Sequence, residues 1–170
     1  MKVLVFSDTH QNLYNAIDVL EVFQNDMDMV LHLGDHDLDA MELQKRFPDV
    51  PFHFVLGNND YGGNTPMQKM IFACGKKLLL THGHRQRVYW GYDTLAYWAE
   101  EQGADMVLFG HTHRPMYDDK GRVILLNPGS ISMPRDGNGI PTFATVEIQE
   151  NGVMQVQIWE YHAKTDIRKR

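Results

Sequence analysis

The sequence predicts an α/β fold in which two β-sheets pack together between helices. Three observations point to it. Short runs rich in Val, Leu and Phe recur along the chain, each closed by turn residues, as strands buried on both faces require. In the first half these runs alternate with segments whose apolar residues fall at three-and-four spacing, the pattern of βαβ units and a parallel sheet. The last third offers strands only, so it has to extend the first sheet or build a further one.

Each element has its own signal. Val3–Phe6 is the first strand, stopped by Ser7-Asp8. Leu13, Ala16, Ile17, Leu20 and Phe23 then form an apolar helical stripe, with Asn12 as its cap. Met29–Leu33 is a strand, Asp37–Phe47 a helix closed by Pro48, and Phe52–Leu56 another strand. Phe72–Leu80 reads as a hairpin turning at Cys74-Gly75, with Leu78–Leu80 its buried arm. A helix over Asp93–Gln102 starts at Asp93 as cap and ends before Gly103. Met106–Phe109 and Val123–Leu126 are buried runs. Phe143–Ile148 and Val153–Trp159 alternate and flank Glu150-Asn151-Gly152, so they pair as an antiparallel hairpin. Trp90, Tyr92, Tyr97 and Trp98 read as core around the third helix, His32 and His53 as packed or edge strand residues, and His162 with the tail Ile167–Arg170 as a solvated end.

Composition bounds the function. A chain of 170 residues, 43% hydrophobic, suits one domain over residues 1–170. Sixteen Lys and Arg against 22 Asp and Glu give a charge of −6, which argues against binding along a nucleic-acid backbone. The single cysteine, Cys74, leaves no internal disulfide and no thiolate zinc cluster. The first apolar run is too short for a signal-peptide core, and nowhere do eighteen apolar residues follow one another, so a cytoplasmic protein without a membrane span is expected. Nine histidines remain to be explained, and with a single cysteine they point to oxygen and nitrogen ligands for any metal.

Placed on this map, the ligand-type residues converge. Asp8 and His10 follow the first strand, Asp35 the second, Asn58 the third, His82 the Leu78–Leu80 strand, and His111 and His113 the Met106–Phe109 strand. In open α/β sheets the binding crevice lies outside the carboxyl ends of the strands. Asp-x-His or Gly-Asp alone occurs often by accident; five such pieces at five strand ends do not.

Ser7-Asp8-Thr9-His10, Gly34-Asp35, Gly57-Asn58, Thr81-His82-Gly83-His84 and Gly110-His111-Thr112-His113 stand in the order found in the calcineurin-like metallophosphoesterases, which the chain resembles. It is most similar to their small single-domain prokaryotic phosphodiesterases, relatives of the vacuolar-sorting retromer subunit. The resemblance runs from Met1 to about Arg135 and includes Asn127-Pro128-Gly129-Ser130. It implies a four-layer αββα sandwich. It also implies two divalent metals, one held by Asp8, His10, Asp35 and His113 and the other by Asn58, His82 and His111, with Asp35 bridging. Mn²⁺ is favoured by the resemblance, and Zn²⁺, Fe²⁺, Ni²⁺ and Co²⁺ suit the same donors. The implied reaction is hydrolysis of a small phosphate ester by a metal-bridging hydroxide.

One departure matters. Many relatives have histidine directly after the ligand asparagine; here the position is Asn59, which donates a hydrogen bond but no proton. His36 and His84 are then the candidates to protonate the leaving alkoxide. Asp60 is expected to orient a ligand such as His10, and Arg85, Arg87, Arg114 and Arg135 are open as phosphate contacts. The Gly- and Pro-rich loops 61–66 and 134–141 are placed at the pocket border. The rival reading is a non-catalytic protein-interaction scaffold of the same fold, for which eroded ligands would be expected. A nuclease is disfavoured by the acidic charge. Apolar edges in the late strands would let copies of the chain pair.

Overall fold

A computed structural model describes residues 1–61 and 63–170. The order of elements is β1 (Lys2–Phe6), α1 (Tyr14–Phe23), β2 (Met29–His32), α2 (Asp37–Arg46), β3 (Phe52–Phe54), β4 (Gln68–Ala73), β5 (Lys76–Thr81), α3 (Asp93–Glu101), β6 (Met106–Leu108), β7 (Pro115–Asp118), β8 (Ile124–Pro128), β9 (Thr142–Ile148), β10 (Met154–Ala163) and β11 (Asp166–Lys169).

These strands form two mixed sheets. The first runs β11-β10-β9-β1-β2-β3 and the second β4-β5-β6-β8-β7. At the centre of the first, β1 pairs in parallel with β2 and β2 with β3, while β9 joins β1 antiparallel, Val3 opposite Val146. In the second, β5, β6 and β8 are parallel and β4 and β7 close the edges antiparallel.

The period-two alternation of the strands builds the layers. Val3 and Val5 of β1, Leu78 and Leu80 of β5, and Met106 and Leu108 of β6 turn into the core between the sheets. Their neighbours turn outward. Leu4 and Phe6 pack under Ala16, Val19 and Leu20 of α1 and Leu43 of α2. Leu79, Val107 and Phe109 pack under Leu95 and Ala99 of α3. The result is the four-layer α/β/β/α sandwich.

The structure also corrects several expectations. Leu13, not Asn12, occupies the cap of α1, though the Asn12 side chain accepts the Tyr14 N–H at 3.3 Å. Asp93 is the first residue of α3 rather than its cap, which is Tyr92. His162 and the tail residues Arg168–Arg170 are exposed as expected, but the tail is ordered: Asp166–Lys169 forms β11, with Glu160 opposite Arg168, and puts a charged strand at the outer edge of the first sheet. Of the four aromatics near α3, two pack on the core and two do not. Trp90 is 91% exposed and Tyr97 is exposed; only Tyr92, against Phe109, and Trp98 are half-buried. His32 is fully buried and His53 lies half-buried beside Lys69. Among the described residues no helix is long and apolar enough to cross a membrane.

Candidate metal centre

The parallel strands β1, β2, β3, β5 and β6 end on one side of the sandwich, and the loops leaving them carry the predicted residues. The backbone there is unusual. Asp8, His10, Asp35, His36, His111 and His113 all have positive φ, between 47° and 79°. Left-handed backbone costs a non-glycine residue on the order of 1 kcal/mol, least for Asp, Asn and His, and such strain persists where surrounding bonds fix it. Here those bonds are visible. Ser130 Oγ and Ser132 Oγ donate to the Asp8 carbonyl at 2.8 and 3.0 Å, and Asn127 Nδ2 donates to the Gly110 carbonyl at 2.8 Å. Close approach requires glycine beneath the candidate donors. A Cβ on Gly57 would stand 2.2 Å from Asp35 Oδ1, and one on Gly110 1.9 Å from Ser7 Oγ.

These loops bring two groups of donors together. Asp8, His10, Asp35 and His113 each offer a ligand atom, all within 4.8 Å of one another. Beside them His82 Nε2 lies 3.2 Å from Asn58 Oδ1, and the His111 ring stands 5.0 Å from the His82 ring. Asp35 sits between the groups, with Oδ2 3.5 Å from His10 Nε2 and Oδ1 3.3 Å from His82 Nε2.

The imidazoles are oriented for a cation. His82 Nδ1 donates to the Leu33 carbonyl at 2.7 Å and His113 Nδ1 to the Met133 carbonyl at 2.6 Å. Each ring therefore turns its Nε2 lone pair into the site. There His113 Nε2 faces Asp8 Oδ1 at 3.2 Å and His10 Nε2 at 3.2 Å. Asp8 Oδ1 is buried without a hydrogen-bond partner, while Oδ2 accepts from Ser7 Oγ and the His111 N–H at 2.6 and 3.1 Å. A buried acceptor facing acceptors has to be met by a proton or a metal ion. The donor set, all carboxylate, amide and imidazole, fits a divalent metal.

The charge states of the carboxylates and of His111 suit a cation, and that of His82 does not. Burial opposes ionisation of Asp8 and Asp35, but His113 and His82 hold Asp8, and His82 with Asn59 hold Asp35, below the usual carboxylate range. Burial, with His82 adding to it, pushes His111 down to about 4. His82 moves the other way: burial opposes its charge, yet Asp35 and Asp8 raise its pKa.

The remaining predicted residues fall around these groups. Asn59 is committed to Asp35: its N–H donates to Oδ1 at 3.0 Å and its side-chain amide to Oδ2 at 2.7 Å. The His36 ring stands edge-on to His10 at 5.5 Å. His84 lies on the other flank, 5.5 Å from the His82 ring, with a buried Nδ1 that has no partner. Asp60 does not touch His10 in the way expected of it. Its oxygens accept the backbone N–H groups of His36, Asp37 and Gly57 at 2.7, 2.8 and 2.6 Å, so it orients loops rather than an imidazole. Of the arginines, Arg85 and Arg87 are exposed and Arg114 binds the Arg135 carbonyl. Arg135 donates to the Tyr89 hydroxyl at 2.8 Å, which in turn donates to the His111 carbonyl at 3.0 Å. Loop 134–141 borders the site through the bond from Arg135 N–H to the His113 carbonyl, whereas loop 61–66 includes residue 62, outside the described residues.

Sequence reasoning missed the roles of Tyr89, Ser132 and the buried pair Thr9–His32. Thr9 Oγ1 lies 3.1 Å from His32 Nε2 and donates to the Asp35 carbonyl, and the Gly34 N–H reaches His32 Nδ1 at 3.3 Å. This buried strut ties the Asp8 loop to the Asp35 loop. Its signal, a histidine two residues before Gly34-Asp35, carries no ligand spacing of its own.

Comparison with known proteins agrees with the geometry. A family model described as the calcineurin-like phosphoesterase superfamily domain matches residues 1–151. The chain is 33% identical over 136 residues to the probable metallophosphoesterase YsnB of Bacillus subtilis, covering 79% of this chain and 78% of that one. It is 25% identical to the phosphodiesterase MJ0936 of Methanocaldococcus jannaschii, over 92% of this chain and 98% of the relative. Among solved structures, Vps29 of Entamoeba histolytica complexed with zinc shares the fold, with a TM-score of 0.83 and 20% identity over 100% of this chain and 97% of that one.

Proposed function

Because the chain belongs to the calcineurin-like phosphoesterase superfamily, we propose that it is a phosphodiesterase that hydrolyses small phosphate esters at a dinuclear metal centre. One observation carries this reading: the two oxygens of Asp35 face imidazoles of two different donor groups. Asp8, His10, Asp35 and His113 would hold one ion, and Asn58, His82 and His111, with Asp35 shared, the other. Mn²⁺ is the ion we favour, and the donors suit Zn²⁺, Fe²⁺, Ni²⁺ and Co²⁺ as well. When bound, two divalent ions supply a hydroxide nucleophile near neutral pH and stabilise charge on the phosphoryl oxygens.

The chain's own residues do the rest. Asn59 fixes both oxygens of Asp35 with its backbone N–H and one amide N–H, and its second amide N–H can donate a hydrogen bond to the substrate but no proton to a leaving group. His36 and His84, on opposite flanks, are the imidazoles placed to move a proton there. A second reading, a protein-interaction scaffold, has the likeness to Vps29 in its favour; the presence of all seven donor residues, four clustered within 4.8 Å and Asn58, His82 and His111 beside them, favours the enzyme.

Turnover of bis(4-nitrophenyl) phosphate by Mn²⁺-loaded protein tests the proposal, and loss of turnover on chelation is expected. Absence of turnover with metal bound would leave the scaffold. His36→Ala and His84→Ala separate the two flanks. The variant lacking the proton donor should slow esters with poor leaving groups about 10²-fold or more while sparing 4-nitrophenyl esters. Equal effects on all esters would remove both candidates.

A further inference from the structure

A cavity of about 290 Å³ opens beside the Asn59–Asp35 hydrogen bonds, between the start of α2 and the loop after β3. It is lined by His36, Asn59, Asp37 and Asp60 and by the larger side chains of Leu38, Met41 and Tyr61. These last three side chains stand in water: Leu38 is 72% exposed, Tyr61 91% and Met41 40%. Scattered apolar residues on a surface need no explanation, but three lining one cleft next to a candidate catalytic centre do.

The two carboxylates that line the cavity are hydrogen-bonded within the surrounding loops. Asp60 is bound by three backbone N–H groups, and Asp37 accepts from Thr65 Oγ1 at 2.7 Å. Among the described residues no lysine or arginine lines it, so nothing there would hold a second phosphate. Apolar, sulfur-bearing and aromatic walls instead favour the face and edge of a ring.

Resting on the phosphodiesterase reading, we propose that this cavity receives a flat, uncharged aromatic ring carried by the phosphate ester. Leu38, Met41 and Tyr61 are then specificity-determining residues. The phosphoryl group lies at the metal centre and the ring in the cleft beyond Asn59, so aryl-type esters are selected over small alkyl ones.

The experiment compares two non-hydrolysable probes, phenylphosphonate and methylphosphonate, by titration calorimetry on the Mn²⁺-loaded protein. Bis(4-nitrophenyl) phosphate turnover is measured on the same preparation. The phenyl compound should bind about tenfold more tightly, as burial of part of a ring in an open cleft implies. The preference should fall to within about twofold in Leu38→Asp and shrink in Tyr61→Ala, while exposed Tyr97→Asp, on α3, keeps it. Two variants keep the test decisive if one fails to fold. A wild-type preference near unity, or one that survives both cavity substitutions, overturns the assignment. Diester turnover without a phenyl preference refutes the cavity alone. If neither phosphonate binds and no diester is cleaved, the underlying reading fails and the cavity's role with it.

Discussion

Substituting Asp35→Asn would keep the side chain's shape while removing the charge that its two oxygens present to His10 and His82. If Asp35 is shared, the occupancy of both ions should fall together, by tenfold or more at limiting metal, as read by elemental analysis after gel filtration. Two tightly bound ions in the variant would contradict the shared role. At this scale the candidate donor residues and their strand-end positions were legible in the sequence, because five Asp, His and Asn pieces each follow a buried run, a recurrence that single structural uses such as those of Asp60 or Asn127 do not produce. What was not legible was which atoms each neighbour would occupy. Asn59 stands beside a proposed ligand in sequence, yet its amide serves Asp35; Asp60 was expected on an imidazole and instead collects backbone N–H groups. Such assignments depend on the left-handed turns at Asp35 and His36, which no local pattern in the chain announces.

Elements and their loops make a different demand, since each site loop has to hold a strained backbone open. Asp60 does this for two at once. Its Oδ1 caps the first N–H groups of α2, at His36 and Asp37, and its Oδ2 takes the Gly57 N–H before Asn58. Asp60→Ala leaves three donors unmet and should lower stability by about 2–4 kcal/mol in urea unfolding, with metal affinity weakened about 10- to 100-fold. Unchanged metal affinity would mean that the loops hold their shape without it. The elements themselves were largely readable, because apolar runs and three-and-four stripes report burial directly. Two strands were not. β7 opens on Pro115 and is exposed at its end, and β11 is Asp-Ile-Arg-Lys, so both are edge strands whose polar sequence hides them. Trp90 and Tyr97 erred in the opposite direction: aromatic composition suggests core, and only the packing of α3 shows which faces remain outside.

Across the whole molecule, burial of imidazoles links folding to pH. His32 and His111 are pushed down to about 4, in both cases by burial first. Burial also lowers His10, His53 and His84. Between their unfolded value near 6.5 and their folded values, the unfolded chain binds protons at these groups that the folded chain does not, so stability falls as pH falls through that interval. His82 opposes this. Its raised value contributes stability that is present below about 6.5 and lost as pH rises through the folded value. Asp8 and Asp35, held low, contribute above their unfolded value, and that contribution is lost only at lower pH. Five lowered imidazoles against one raised set the sign. The metal-free protein should be less stable at pH 4.5 than at pH 7, and His32, fully buried, supplies about 2–3 kcal/mol of the difference. Half-exposed His111 adds less. Divalent metal should steepen the slope, because protons and metal compete for the same lone pairs as the pH falls. Urea midpoints at the two pH values, with metal and with chelator, measure both effects. A chelated protein equally stable at pH 4.5 and 7 would show that these rings take up protons without unfolding, and would remove burial as the force that keeps them neutral.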